Sequence, residues 1–478
     1  MQNEVERWGI FEIVQQGPRA GNPFTDIMLE ADFSLQNRQV RVKGFYDGEG
    51  IFRIRFMPDA PGEWRYLTHS NVHSMDGLSG EFTCTPPSAG NHGPVVVRNT
   101  HHFAYADGTP YYPIGTTCYA WAHQGKSLEQ QTLDTLRSAP FNKMRMCVFP
   151  KHYDFNHNEP ELFAYERNAD GSWDFTRFNP AFFRHFEQLV SSLCEMGIEA
   201  DLILLHPYDR WGFASMGVEN DENFLRYVVS RLSAYRNVWW SMANEYDLMK
   251  DRTLGDWDRY FQIVQEADPY QRLRSVHNCY TFYDHNKPWV THASIQSGEL
   301  TKMRQWCEMY QKPVIVDECG YEGNIWHNWG NLSARELIHL MWLGTLGGGY
   351  VGHGETYLHP EDQLWWSKGG VLRGESPARI AFMRHLLEEL APHGLKPFGS
   401  DYRLHQAADM ENGVYLFYTG IHQPARVQLK LPAEEQYSVD IIDPWEMTIT
   451  SLKEVYPGQS WISLPGKPYQ VICARKAR

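Results

Sequence analysis

Val238-Trp239-Trp240-Ser241-Met242-Ala243-Asn244-Glu245-Tyr246-Asp247 is an apolar run that breaks off in Asn-Glu, and Val314-Ile315-Val316-Asp317-Glu318 repeats the pattern further along the chain. Each reads as a buried strand that delivers one carboxylic acid at its C-terminal end. In a parallel β/α barrel those strand ends converge on one face, so two such acids can meet across a pocket.

On either side of these two runs, strand candidates alternate with helical periods: 112–119, 143–150, 199–206, 238–244, 274–279, 290–295, 314–318 and 349–352. Eight β/α units over this span predict an α/β fold built on a (β/α)8 TIM barrel. A helix is expected over Ala181–Met196, opened by Asn179-Pro180 and closed by Gly197. Only a short connection separates strands five and six. Before the barrel, segments such as Phe52-Arg53-Ile54-Arg55-Phe56, set between Asp-Gly, Pro-Gly and Asn-Pro turns, predict an N-terminal β-sandwich. After it, Val414–Tyr418, Val427–Leu431 and Tyr437–Ile441 predict a small C-terminal β-sandwich. The expected domains are 1–92, 93–394 and 395–478.

The 478 residues carry 44 basic and 58 acidic side chains, a formal charge of −14, which argues against nucleic acid or an anionic membrane as partner. Aromatic residues make up 14%, with 17 Trp and 26 Tyr, a content suited to stacking on the C–H faces of sugars as well as to large cores. The N-terminal stretch has neither a basic start nor an apolar segment, so a cytoplasmic protein is expected, and no run is long enough to span a membrane. The eight cysteines are scattered and predict buried free thiols.

Two strand-end glutamates are the residue types that glycoside hydrolysis with retention requires: a nucleophile, and an acid that later acts as base. Glu245 is assigned the acid/base role because it follows Asn244, whose amide can bind the sugar hydroxyl next to the reacting carbon. Glu318 is the nucleophile. Two neighbouring carboxyls ionise together only with difficulty, so Glu318 is expected to hold the charge and Glu245 the proton. Glu355, Glu322 and Asp247 are the rival carboxylates.

With these motifs, Trp239–Asp247 and Lys312–Gly320, the chain resembles the clan A glycoside hydrolases, whose acid/base glutamate closes strand four in an Asn-Glu pair and whose nucleophile closes strand seven. More narrowly it resembles bacterial glycosidases that join a DUF5060-type N-terminal sandwich to a DUF4038-like barrel and a DUF5605-type C-terminal sandwich. The resemblance implies an arginine on strand two that braces the nucleophile, and Arg145 stands there. It also implies an aromatic or histidine partner for the nucleophile from strand six, where no tyrosine is present.

Further candidates for substrate binding stand at strand ends: His206 on strand three, His277 and Tyr280 on strand five, and His292 on strand six. Trp365 and Trp366, after strand eight, are candidates for a stacking wall. Gly347–Gly352 fits G-x-G-x-x-G, but no acidic ribose partner follows in a second βαβ unit; the glycines are expected to let strand eight pass close under the substrate. No metal-ligand spacing and no nucleophile elbow is present, and no cofactor is expected.

The aromatic connections 151–177 and 353–376 are expected to wall the cleft into a pocket, which favours exo action on small β-linked glycosides or oligosaccharides, pentosides and hexosides both being allowed. A transglycosidase, or a non-catalytic carbohydrate-binding barrel protein, is the alternative. The outer sandwiches are left three roles: binding carbohydrate, shaping the cleft, or joining subunits into a homo-oligomer.

Overall fold

A computed structural model describes residues 4–399 and 403–477, so Met1, Gln2 and Asn3 of the stretch read for an export signal lie outside the described residues. The N-terminal unit is two sheets. One runs in the order Glu4–Glu6, Ser79–Thr85, Gly62–Ser70, Leu29–Leu35, Arg38–Lys43, and the other in the order Phe11–Gln16, Ile51–Phe56, Phe45–Tyr46. Period-two alternation turns Phe52, Ile54 and Phe56 inward, where ring pairs such as Phe11–Phe82 (3.9 Å between centroids) and Phe33–Phe56 (4.1 Å) fill the space between sheets.

Arg55 departs from that alternation, because the outer face of its strand is covered by the next unit. It is 8% exposed, and its guanidinium reaches Glu187 at 2.7 Å and the Arg231 carbonyl at 3.0 Å. Arg231 in turn pairs with Glu187 at 2.6 Å and with Asp47 at 2.9 Å. This buried network ties the sandwich to two helices of the central unit.

That central unit is a closed ring of eight parallel strands: β1 (Gly115–Thr117), β2 (Lys143–Cys147), β3 (Glu199–Leu205), β4 (Val238–Ala243), β5 (Arg274–Ser275), β6 (Ala293–Gln296), β7 (Val314–Glu318) and β8 (Tyr350–Val351). Strands β1 to β5 form one hydrogen-bonded run and β6 to β8 another. Parallel bridges between His277 and Ser294 and between Thr116 and His353 close the barrel. Helices follow most strands. The one at Pro180–Glu195 starts where Asn179 accepts the Ala181 amide at 3.0 Å, and buries Phe182, Phe183, Phe186, Leu189, Val190 and Leu193. Each such side chain contributes about 1.5–3 kcal/mol of burial energy. No helix separates β5 from β6, the pair joined by the short connection.

The hairpin Val95–Arg98/His102–Tyr105 seals the N-terminal end of the barrel, with Phe103 against Trp239 (5.2 Å) and Tyr350 (5.5 Å). The opposite, C-terminal end stays open. The glycines of strand eight do not lie under the cavity as expected, since none of Gly347–Gly352 lines it. A Cβ at Gly352 would stand 2.6 Å from the Asp317 carbonyl oxygen, and one at Gly349 2.3 Å from Met303 Sδ, so close packing against β7 and the helix Met303–Tyr310 requires them.

The C-terminal unit is a six-stranded antiparallel sheet covered by the pair Arg426–Gln428/Trp461–Ser463, with Phe417, Leu429, Leu431, Val439, Ile462 and Ile472 between the layers. All eight cysteines are free thiols. Among the described residues no helix is long and apolar enough to cross a membrane.

Candidate active site

At the C-terminal ends of the barrel strands lies a cavity of about 760 Å³ that both Glu245 and Glu318 line. Glu318 is the last residue of β7. A break in register between Ile295 and Gln296 sets Gln296, the last residue of β6, opposite Glu318 instead of Asp317. With its amide turned to donate, the Gln296 nitrogen stands 3.2 Å from Glu318 Oε2 and 3.2 Å from Glu245 Oε1. Two oxygens that share one nitrogen can be no further apart than twice that distance.

Glu245 follows β4 in the left-handed region, at φ 51° and ψ 52°. For a residue with a Cβ this costs about 1–2 kcal/mol. The turn is held by the Tyr246 amide donating to the His277 carbonyl and the Leu248 amide to the Glu245 carbonyl, both at 3.0 Å. It swings the carboxyl over the cavity, where the Tyr208 hydroxyl donates to it.

Beneath Glu318, the Tyr119 hydroxyl contacts Glu318 Oε1 and lies 2.8 Å from Asn244 Oδ1. Arg145 Nη1 stands 3.3 Å from Glu318 Oε1, and its Nη2 3.4 Å from Asn244 Oδ1. Deeper in the barrel, Lys143 pairs with Asp201 (2.6 Å) and Asp317 (2.8 Å), and Ser294 donates to Asp317 at 2.6 Å. Burial works against the charge on Asp317, but Lys143 and Arg145 hold its carboxyl well below the usual range. Glu318 goes the other way. Burial pushes its carboxyl up to about 7, with Tyr321 opposing, so the environment resists the charge that the sequence reading assigned to it.

The other expected site residues divide by which way their strands face. Asn244, Trp366 and Tyr280 line the cavity, Tyr280 at its rim with 82% exposure. Arg145 and His277 are buried under the floor, His277 Nε2 at 3.8 Å from Glu318, and burial keeps that imidazole neutral.

Three residues are not brought to the cavity. His206 turns into the wall, its Nε2 3.1 Å from the Phe149 carbonyl. His292 lies at the sealed end of β6 against Phe103 and Trp239. Trp365 is packed inward, its indole N–H donating to Thr116 at 2.8 Å.

The rival carboxylates are occupied by backbone. Glu355 accepts the amides of Arg373 (2.7 Å) and Gly374 (2.8 Å), and Glu322 those of Glu375 (2.8 Å) and Ser376 (3.0 Å). Asp247 accepts the amides of Cys279, Tyr280 and Thr281 at 2.6, 2.8 and 2.9 Å, which sets the rim loop after β5. Sequence reading missed Gln296, Lys151, Tyr119, Tyr208 and the β7 loop residues Tyr321 and Trp329, all of which line the cavity. Tyr119, Lys151 and Tyr208 stand at or just past the ends of predicted strands, so the rule that selected the glutamates reaches them too. Among the described residues no group of three or more His, Cys, Asp or Glu side chains is placed to hold a metal ion.

The family described as "Apiosidase-like, catalytic domain" matches residues 97–369. Two families described as domains of unknown function flank it, DUF5060 at residues 4–71 and DUF5605 at residues 403–474. Among solved structures, the chain is similar to a candidate glycoside hydrolase from Bacteroides vulgatus ATCC 8482, with 40% identity, full coverage of both chains and a TM-score of 0.94. A glycoside hydrolase of family 5 from the same organism shares the fold at 14% identity and a TM-score of 0.63, over 80% of this chain and 93% of its own. No curated protein matches the sequence.

Proposed function

The chain belongs to the apiosidase-like glycoside hydrolases, and from that premise we propose that it cleaves small β-linked glycosides from one end by double displacement, with Glu318 as nucleophile and Glu245 as acid and then base. The observation that carries this reading is the single Gln296 nitrogen within 3.2 Å of an oxygen of each glutamate. The bound it sets applies to one oxygen of each carboxyl and is compatible with the roughly 5 Å separation of retaining enzymes.

In the first step an oxygen of Glu318 attacks the anomeric carbon as Glu245 passes its proton to the leaving oxygen. The glycosyl ester formed on Glu318 removes the negative charge there. Glu245, now a carboxylate, takes a proton from water, whose oxygen attacks the same carbon and releases Glu318. Tyr119 and Arg145 steady the attacking oxygen. With Asn244 Oδ1 taken up by those two groups, its Nδ2 is the donor left for the hydroxyl beside the anomeric carbon. Aromatic walls from Trp366, Tyr153 and Trp329 favour a pocket that takes one sugar ring, a pentose such as apiose or a hexose.

The test is a panel of aryl pentosides and hexosides in both anomeric forms, run on wild type and Glu318→Ala. The expected result is turnover of one β-glycoside class, lost in the variant and partly restored by azide as a glycosyl azide of inverted configuration. Turnover that survives in Glu318→Ala would remove the nucleophile assignment.

A further inference from the structure

Lys151, four residues past the end of β2, lines the cavity yet is 2% exposed, and among the described residues its ammonium has no hydrogen-bond or ion-pair partner. Aromatic rings surround it instead. The nitrogen lies 3.5 Å from the centre of the Tyr119 ring, 4.3 Å from Tyr208, 4.7 Å from Tyr153 and 5.5 Å from Trp366. The two nearest rings belong to the tyrosines whose hydroxyls contact Glu318 and Glu245. One buried cation therefore sits on the faces of both side chains that reach the two carboxyls.

Below the floor Lys143 and Arg145 are equalled in number by Asp201 and Asp317, two against two, with Arg145 also 3.3 Å from Glu318. Glu322 and Glu355 are turned to backbone amides, and Asp154 is exposed at the rim. His206 and His277, which follow β3 and β5 and feel the charge of the ammonium, are kept neutral by burial, and Cys147 on β2 keeps its proton for the same reason. What remains is one negative charge on the glutamate pair and one positive charge on Lys151.

We propose that Lys151 is a positioning residue that supplies the counter-charge of the Glu245–Glu318 pair through Tyr119 and Tyr208, and that the cavity, neutral before substrate enters, selects an uncharged glycone. This deepens the two-glutamate mechanism and rests on it. Burial pulls the ammonium down to about 8, so it is charged at neutral pH. A glycone bearing a carboxylate would bring in a second, unbalanced negative charge of the kind buried sites reject.

The experiment compares wild type with Lys151→Met, which replaces the buried charge by an apolar chain of similar length and spares the fold. One readout is the acid limb of kcat/KM on the aryl glycoside that the wild type prefers. The other, independent of turnover, is the carboxyl titration of the pair by difference infrared spectroscopy against Glu318→Gln. Both are expected to move to higher pH by about one unit in Lys151→Met. An unmoved titration overturns the assignment, as does faster turnover of an aryl uronide than of its neutral counterpart. Full activity in Glu318→Ala would instead bring down the two-glutamate mechanism itself.

Discussion

Gln296 faces Glu318 across the one break in register between β6 and β7, and its amide nitrogen reaches Glu245 at the same 3.2 Å. It links the two carboxyls without adding charge. Gln296→Ala is expected to lower kcat/KM by about 10- to 100-fold with little change in melting temperature, since misplacing a reacting group by an ångström costs about that much. Gln296→Glu should be slower still, because a third carboxyl would repel the other two. Steady-state kinetics and thermal melts of both variants check this, and wild-type rates in either would contradict it.

The acid limb of kcat/KM is expected near pH 7. As the proposed nucleophile Glu318 has to be a carboxylate, burial raises its carboxyl to about 7, and activity should therefore be lost as pH falls through that value. Stability has the opposite sign. Folded Glu318 holds its proton more tightly than the unfolded chain does, so its contribution is present below about pH 4.5 and lost as pH rises through about 7. Denaturant melts from pH 4 to 8 should show less of this slope in Glu318→Gln.

Glu245→Ala is expected to slow glycosides with poor leaving groups far more than activated aryl glycosides, which need little protonation. A series of aryl glycosides of graded leaving-group acidity measures it. Equal losses across the series would count against the acid/base role.

The eight-strand pattern and the placement of the two glutamates on one cavity were legible because a buried parallel strand reads as an apolar run and a carboxyl at its end is conspicuous. Facing was not legible. Every residue of β3 and β4 is buried, so neither period nor polarity tells that His206 turns into the wall while Asn244 turns to the cavity. Gln296 was hidden for another reason: its role comes from a register break between two strands, which neither strand encodes alone. Arg55 holds the outward position of an alternating strand, where Glu12 of the neighbouring strand pairs with it, and only the helices packed over that face bury it and add Glu187.

That packing carries a prediction of its own. Glu187→Ala removes the shared anion from between Arg55 and Arg231 and leaves two buried guanidinium groups short of a partner. A loss of about 3–5 kcal/mol in unfolding free energy is expected, measured by chemical denaturation. A loss within experimental error of zero would show that the sandwich and the barrel are joined by other contacts.

The most direct measurement is covalent trapping. Wild-type protein is treated with an activated 2-deoxy-2-fluoro derivative of the glycoside it turns over, then analysed by intact mass and by mass spectrometry of its peptides. One glycosyl adduct per chain is expected, on Glu318, with none in Glu318→Gln. An adduct on Glu355, Glu322 or Asp247, or turnover with inversion and no adduct, would contradict it.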